Sequence, residues 1–398
     1  MVKCSLACKE TFYQEAEFIR TLKDALKQCE KVSGKKGFFN GLKLILLGTL
    51  YIMVYGERSN GKTFFALLCA MVRYFLYGEP FCIVRRWDED FRPKSTGRLF
   101  GGLQKMRLIQ YLSGGEWSHV VCRSKMFYLA KYEENGDETI LREPIAYGFA
   151  LTQMEHDKGG TYPPNITTII FDEFLTRGAY LPDEMTLFMN VISTVVRDDG
   201  QAKIWMLGNT VSKYCPYFRE MGLRHIMEMN VGDVQTYQGT REDCTIAVHW
   251  ADSPPNGKET DRYFAFDNPK LKMITEGRFE TAVYPHAPCE IRIADIMFTF
   301  FIDFDGNLLK CDIICKDDSE FIFIAPKTTP LKYPDDELVY CDRPDMRANW
   351  RRRITRPVTT AEKAIYKLFR SEKVFYSDNE CGEVVRVYLQ WCESEKVV

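Results

Sequence analysis

The sequence predicts an α/β protein built on a parallel sheet, and two stretches carry that prediction. In the first, Leu50 to Tyr55 is apolar and β-prone, Gly56-Glu57-Arg58-Ser59-Asn60-Gly61-Lys62-Thr63 follows, and Thr63 to Tyr77 is rich in Phe, Ala, Leu and Met before ending at Gly78. That order reads as strand, glycine loop, helix. In the second, Ile166 to Phe171 is a run of buried-strand character that closes on Asp172-Glu173. Strands that read as continuous apolar runs are covered on both faces, as in parallel sheets flanked by helices.

The glycine loop has the spacing G-x-x-x-x-G-K-T, which aims backbone N–H groups and a helix N-terminus at a polyphosphate. Gly56, Arg58, Ser59, Asn60, Gly61, Lys62 and Thr63 form the expected nucleotide-binding set. Lys62 is expected to reach the β- and γ-phosphates of ATP, and Thr63 to hold Mg²⁺. After the second strand, Asp172 is expected in the Mg²⁺ shell and Glu173 as the carboxylate that polarises the attacking water. A carboxylate so placed points to hydrolysis as well as binding.

Two further pieces follow in order. Lys203 to Leu207 is another apolar strand, ending in Gly208-Asn209-Thr210. Asn209 is either a γ-phosphate sensor at the strand tip or an ordinary Asn turn. Before it, Pro182 to Val196 reads as a helix, with Pro182 suited to its start and Leu187, Val191 and Val195 at helical spacing. Arg197 follows, then the turn Asp198-Asp199-Gly200. An arginine there either complements the helix dipole or reaches a neighbouring subunit's nucleotide.

At 398 residues the chain has room for two domains. Its 45% hydrophobic and 27% charged content is that of a globular protein, and a net charge of −2 argues against a uniformly basic nucleic-acid binder. The beginning lacks a signal-peptide core, and the most apolar run, Leu44 to Tyr55, is too short to span a bilayer, so no membrane partner is expected. Fourteen cysteines without a C-x-x-C pair read as reduced thiols rather than a zinc site.

Residues 1 to about 38 read as a helical prelude, with Phe12, Ala16, Ile19, Leu22 and Leu26 near helical spacing; it is most simply a solvated amphipathic extension, or else it packs on the nucleotide-binding core or covers the adenine. Pro80 to Arg86 is a strand ending in two arginines. Gly97 to Ser124 is glycine-rich, and Lys125 to Tyr132 with Thr139 to Arg142 form a hairpin around Asn135-Gly136. Pro144 to Leu151 is β, and Glu155 to Pro164 is a polar loop containing Lys158. Turn residues from Asp252 to Lys258 mark a boundary, giving an expected division into 1–253, a linker 254–287 and 288–398. The last part is β-rich, with a hairpin turn at Asp305-Gly306 and helical or mixed segments after Thr359. Arg343, Arg347, Arg351, Arg352, Arg353 and Arg356 crowd one segment with Trp350. It is either a solvated loop or a contact with phosphate backbones or an acidic partner, with Arg351, Arg352, Arg353 and Arg356 as the expected contacts.

Taken together, G-E-R-S-N-G-K-T, F-C-I-V-R-R, T-T-I-I-F-D-E-F-L, V-V-R and L-G-N-T-V-S-K-Y-C-P-Y-F resemble the phi-29-type DNA-packaging ATPases, terminase-like motors of small podophages. The resemblance runs from about Leu44 to Phe218. It implies a P-loop NTPase of the additional-strand catalytic-glutamate type, followed by a small α+β RNase H-like domain. It further implies an ATP- and Mg²⁺-dependent homo-oligomeric ring, a pentamer, that feeds double-stranded DNA into a procapsid through the portal in the host cytoplasm. A packaging RNA is a possible further partner by the same resemblance. In that family the arginine of V-V-R acts in trans, which casts Arg197 as an arginine finger. A lysine in the loop before the strand that ends in Asp172-Glu173 also acts in trans in that family, and Lys158 matches it within a one-residue gap. Glu57, an acid inside a phosphate loop, departs from expectation.

Two alternatives stay open. One is a terminase with a live metal-dependent nuclease, for which Asp303, Asp305 and Asp312 are the nearest carboxylates, although the family's domain is held to be a vestigial nuclease. The other is a nucleotide-binding switch with little turnover, against which Glu173 and Arg197 argue.

Overall fold

The computed structural model describes residues 4–34, 39–58, 60–92, 98–153, 166–176, 180–181, 183–196, 202–210, 215–252, 284–304, 306–316 and 319–394. They fall into two compact units, Met1–Thr176 with Asp183–Phe279, and Arg177–Pro182 with Glu280–Val398. Most of the expected linker, residues 253–283, lies outside the described residues.

In the first unit six parallel strands form the middle of a ten-stranded sheet. In chain order these are β1 (Tyr51–Gly56), β2 (Phe81–Arg85), β6 (Ala146–Ala150), β7 (Thr168–Asp172), β8 (Lys203–Asn209) and β10 (Thr245–Ala251). Their spatial order is β6-β2-β7-β8-β1-β10. One strand, β8, therefore separates the strand that feeds the glycine loop from the strand that carries Asp172. That inserted strand is the defining feature of the additional-strand P-loop architecture expected from the sequence. β3 (His119–Arg123), β4 (Met126–Tyr132) and β5 (Glu138–Ile140) extend one edge antiparallel, and β9 (Val234–Gln238) closes the other.

All six residues of β1 are buried, as are all five of β7, so the apolar runs are strands covered on both faces. The short helix α2 (Leu42–Leu46) precedes β1, and the helix α3 (Lys62–Tyr77) packs on one face through Phe65, Leu68 and Val72 and ends at Gly78 in the left-handed conformation. Helix α1 (Cys4–Ser33) lies on α3 and is not a solvated extension: Phe18, Leu22, Ala25 and Cys29 are buried in the same core. An apolar stripe on a helix has the same sequence pattern whether it meets a neighbour or water. The glycine-rich stretch before the hairpin holds two short helices, α4 (Gly101–Lys105) and α5 (Leu108–Leu112), and strand β3, anchored by buried Phe100, Leu103, Leu108 and Ile109.

The second unit is a six-stranded sheet in the order β15-β14-β11-β12-β13-β16. β11 (Ile296–Phe304), β12 (Asn307–Lys316) and β13 (Ser319–Pro326) form an antiparallel meander. β14 (Val339–Cys341) runs parallel to β11 and β15 (Trp350–Arg351) parallel to β14, the plan of an RNase H-like sheet. β16 (Val374–Tyr376) adds to β13, and α8 (Thr360–Arg370) and α9 (Asn379–Ser394) complete the α+β unit. Asp305 lies outside the described residues. No helix among the described residues is long and apolar enough to cross a membrane.

Candidate active site at the phosphate loop

Strand register assembles the site. β1 and β8 pair Gly56 with Asn209, so the strand-tip asparagine stands beside the first residue of the loop. β7 and β8 pair Asp172 with Leu207, and β2 and β7 pair Val84 with Phe171, which brings Arg85 alongside Asp172. These ends are the carboxyl ends of parallel strands, where ligands of open α/β sheets bind.

Two glycines shape the loop. At Gly56 a Cβ would lie 2.6 Å from the Ala251 carbonyl oxygen, so only glycine fits against β10. Gly61 takes φ 98° at the N-cap of α3, a left-handed turn that glycine adopts without strain.

Inside the loop, buried Lys62 donates through Nζ to the carbonyl oxygens of Glu57 (2.7 Å) and Gly56 (3.3 Å), to Asn60 Oδ1 (3.1 Å) and to Asn209 Oδ1 (3.5 Å). Glu57 is itself buried, and its backbone carbonyl is one of the ammonium's supports. Asn60 also accepts from the Lys62 amide, while its Nδ2 is a buried donor with no acceptor among the described residues. Arg58 is exposed in the turn.

Thr63 Oγ1 donates to Asp172 Oδ1 at 2.9 Å, so the hydroxyl and carboxylate expected to share a divalent cation do meet. Burial pushes the Asp172 carboxyl above its usual range, against the lowering effects of Arg85 and the Thr63 hydrogen bond. Arg85 Nη2 lies 2.7 Å from Asp172 Oδ2, and its Nη1 lies 3.1 Å from Glu173 Oε2. Asp172 is nearly covered, whereas the Glu173 side chain is 58% exposed and faces outward. Glu173 adopts φ 66°. A left-handed conformation costs a non-glycine residue about 1–2 kcal/mol, and such outliers gather at functional sites.

The structure thus brings together Gly56, Asn60, Gly61, Lys62, Thr63, Asp172, Glu173 and Asn209. Ser59, Lys158 and Arg197 lie outside the described residues. Arg351, Arg352, Arg353 and Arg356 belong to the second unit. There Arg351 pairs with Glu362 at 3.1 Å, and Arg352 and Arg353 lie over the Trp391 ring at 5.4 Å and 5.8 Å. Sequence reasoning placed Arg85 at a strand end without a role. Its signal was position alone, a charged residue at the carboxyl end of a buried parallel strand.

The donor set suits a magnesium-bound nucleoside triphosphate: an ammonium, an orphaned amide donor and a helix N-terminus for phosphate, and a hydroxyl with a carboxylate for the cation. The family model described as podovirus DNA encapsidation protein (Gp16) matches residues 33–231, half of the chain. The chain belongs to that family. DNA packaging proteins of Bacillus phages PZA and phi29 are each 27% identical over 217 residues, covering 54% of this chain. The chain spans just over half, 57%, of the length of these curated relatives. The solved phi-29 viral genome packaging motor assembly is similar in fold, with TM-score 0.55 and 18% identity over 89% of this chain and all of that one. The Phi-28 gp11 DNA packaging motor gives TM-score 0.54 and 18% identity over 92% of this chain and 99% of that one. The matched family segment holds every residue of the phosphate-loop site named above.

Proposed function

We propose that this chain is an ATP-hydrolysing motor that moves double-stranded viral DNA into a procapsid through its portal. The observation that carries the reading is the meeting of Lys62, Thr63, Asp172, Glu173 and Asn209 at one set of strand ends within the segment that matches the encapsidation family. The relatives are named as DNA packaging proteins, and the structures similar in fold as packaging motors.

The residues divide the work. The α3 N-terminus and the loop amides cradle the phosphates, and Lys62 exchanges its carbonyl partners for phosphate oxygens. Thr63 and Asp172 would hold Mg²⁺, which neutralises phosphate charge when bound. Glu173 orients and polarises the attacking water. Arg85 holds Glu173 against Asp172, so the catalytic carboxylate is restrained by a cation of its own subunit. Asn209 connects the ammonium to the tip of β8, so a change at the phosphates reaches the sheet. Arg197 acts in trans on the neighbouring subunit's site, and family resemblance gives Lys158 a trans role as well. The working form is a ring of identical chains, a pentamer by family resemblance, assembled with the portal in the host cytoplasm.

The nuclease alternative finds less support. Asp312 is taken up by Thr299 (2.6 Å) and Lys310 (2.7 Å). Asp303 sits opposite Cys341 in the parallel ladder, near Asp342 and Arg343, whose charges act on it. The arginine supplies the positive charge beside that pair.

The test is steady-state ATP turnover by the purified chain, alone and with DNA and portal-bearing procapsids. Turnover that rises with both is the expected result. Tight ATP binding without turnover under every condition would establish the switch instead.

A further inference from the structure

Arg86 follows Arg85 at the end of β2 and enters a buried network of its own. Its guanidinium grips Glu184 with both arms, Nε to Oε2 and Nη2 to Oε1, each at 2.8 Å. Tyr217 donates its hydroxyl to Glu184 Oε1 at 2.7 Å. The remaining donors turn to the backbone just past β7: Nη1 to the Glu173 carbonyl at 3.1 Å and Nη2 to the Phe174 carbonyl at 2.9 Å. The side chains of Arg86 and Glu184 are 5% and 0% exposed, and Tyr217 is fully covered. Glu184 opens α6 (Glu184–Val195), and Tyr217 lies on α7 (Pro216–Glu220).

A buried ion pair gives little net stability compared with apolar side chains of the same volume. A planar guanidinium does give a fixed fork of directions. Here the fork ends on two successive carbonyls, that of the left-handed residue Glu173 and the next. On the other side the Phe174 amide donates to the Leu207 carbonyl at 3.1 Å. The turn is thus held at its amide by β8 and at its carbonyls by Arg86.

We propose that Arg86 is a positioning residue for hydrolysis: it fixes the backbone that aims the Glu173 carboxylate, and Glu184 with Tyr217 fix Arg86. This rests on Glu173 being the hydrolytic carboxylate. It is tested in two variants. Arg86→Met combined with Glu184→Leu removes both charges together, so neither is stranded. Arg86→Lys keeps a charge for Glu184 but lacks the donor fork.

Each variant is expected to keep its melting temperature and to bind ATP within about twofold of wild type, while turnover at saturating ATP falls about tenfold or more. The Phe174 amide is expected to exchange hydrogen about tenfold faster, with the Ile170 amide unchanged. Unchanged turnover and exchange in the folded variants would overturn the proposal. So would a lowered melting temperature with faster exchange throughout β7, or failure of both variants to fold, since either marks a purely structural network. If the wild-type chain proves to lack turnover, the motor reading fails, while the exchange of Phe174 still decides whether Arg86 holds the turn.

Discussion

Lys62 holds the phosphate loop together through four oxygen atoms. Lys62→Ala is therefore expected to abolish ATP binding, read by calorimetry; near-normal affinity in that variant would refute the site assignment. Glu173 has the opposite signature. Its side chain is exposed and does not shape the loop, so Glu173→Gln is expected to bind ATP as wild type does and to hydrolyse it no faster than background, as single-turnover kinetics would show. A third prediction concerns pH. His249 on β10 stacks on Phe39 at 6.0 Å, and Phe39 lies against Gly61. Its Nδ1 donates to the Asp233 carbonyl. Burial lowers the His249 pKa from 6.5, Lys43 adds to the lowering, and the Asp233 hydrogen bond and Asp252 oppose it. The folded state thus disfavours the protonated ring. The stability linked to His249 is fully present above about pH 6.5 and is lost as pH falls through that value toward the folded pKa. Urea unfolding at about pH 7.5 and about pH 5.5 should show a larger loss for wild type than for His249→Phe. Equal losses would mean the histidine is not held neutral.

At the scale of elements, α1 separates two accounts of the N-terminal region. Leu22 is fully buried against α3, so Leu22→Ala is expected to cost about 2–5 kcal/mol in chemical denaturation. A solvated helix would lose less than about 0.5 kcal/mol. The sequence pattern gave the stripe but not what covers it. Other elements were legible to different degrees for physical reasons. The glycine loop and β7 could be read because their chemistry is local: each is an apolar strand ending in residues of fixed spacing. β10 was not read, because His249 interrupts its apolar run, yet it is the strand against which Gly56 must be glycine. β3 was hidden in a stretch whose Gly114 and Gly115 turn the chain after α5. Arg85 and Arg86 stood in plain view, but their partners lie 87 and 98 residues away, and only strand register brings them together.

For the whole molecule, the question is whether sites cooperate between copies. If Arg197 reaches a neighbour's nucleotide, Arg197→Ala should bind ATP normally and hydrolyse it slower by about a thousandfold or more. Mixing that variant with Glu173→Gln should then restore turnover, because some interfaces of a mixed ring pair an intact glutamate with an intact arginine. A finger acting within its own chain gives no rescue, and a charge that only complements the helix end leaves Arg197→Ala nearly as active as wild type. The most direct test of the account is packaging itself: portal-bearing procapsids, linear viral DNA and ATP, scored as DNA protected from added nuclease. The wild-type chain should protect DNA in proportion to ATP hydrolysed, and Glu173→Gln, still bound to procapsids and to ATP, should protect none. Undiminished protection with Glu173→Gln would contradict the claim that hydrolysis at this site drives DNA into the capsid.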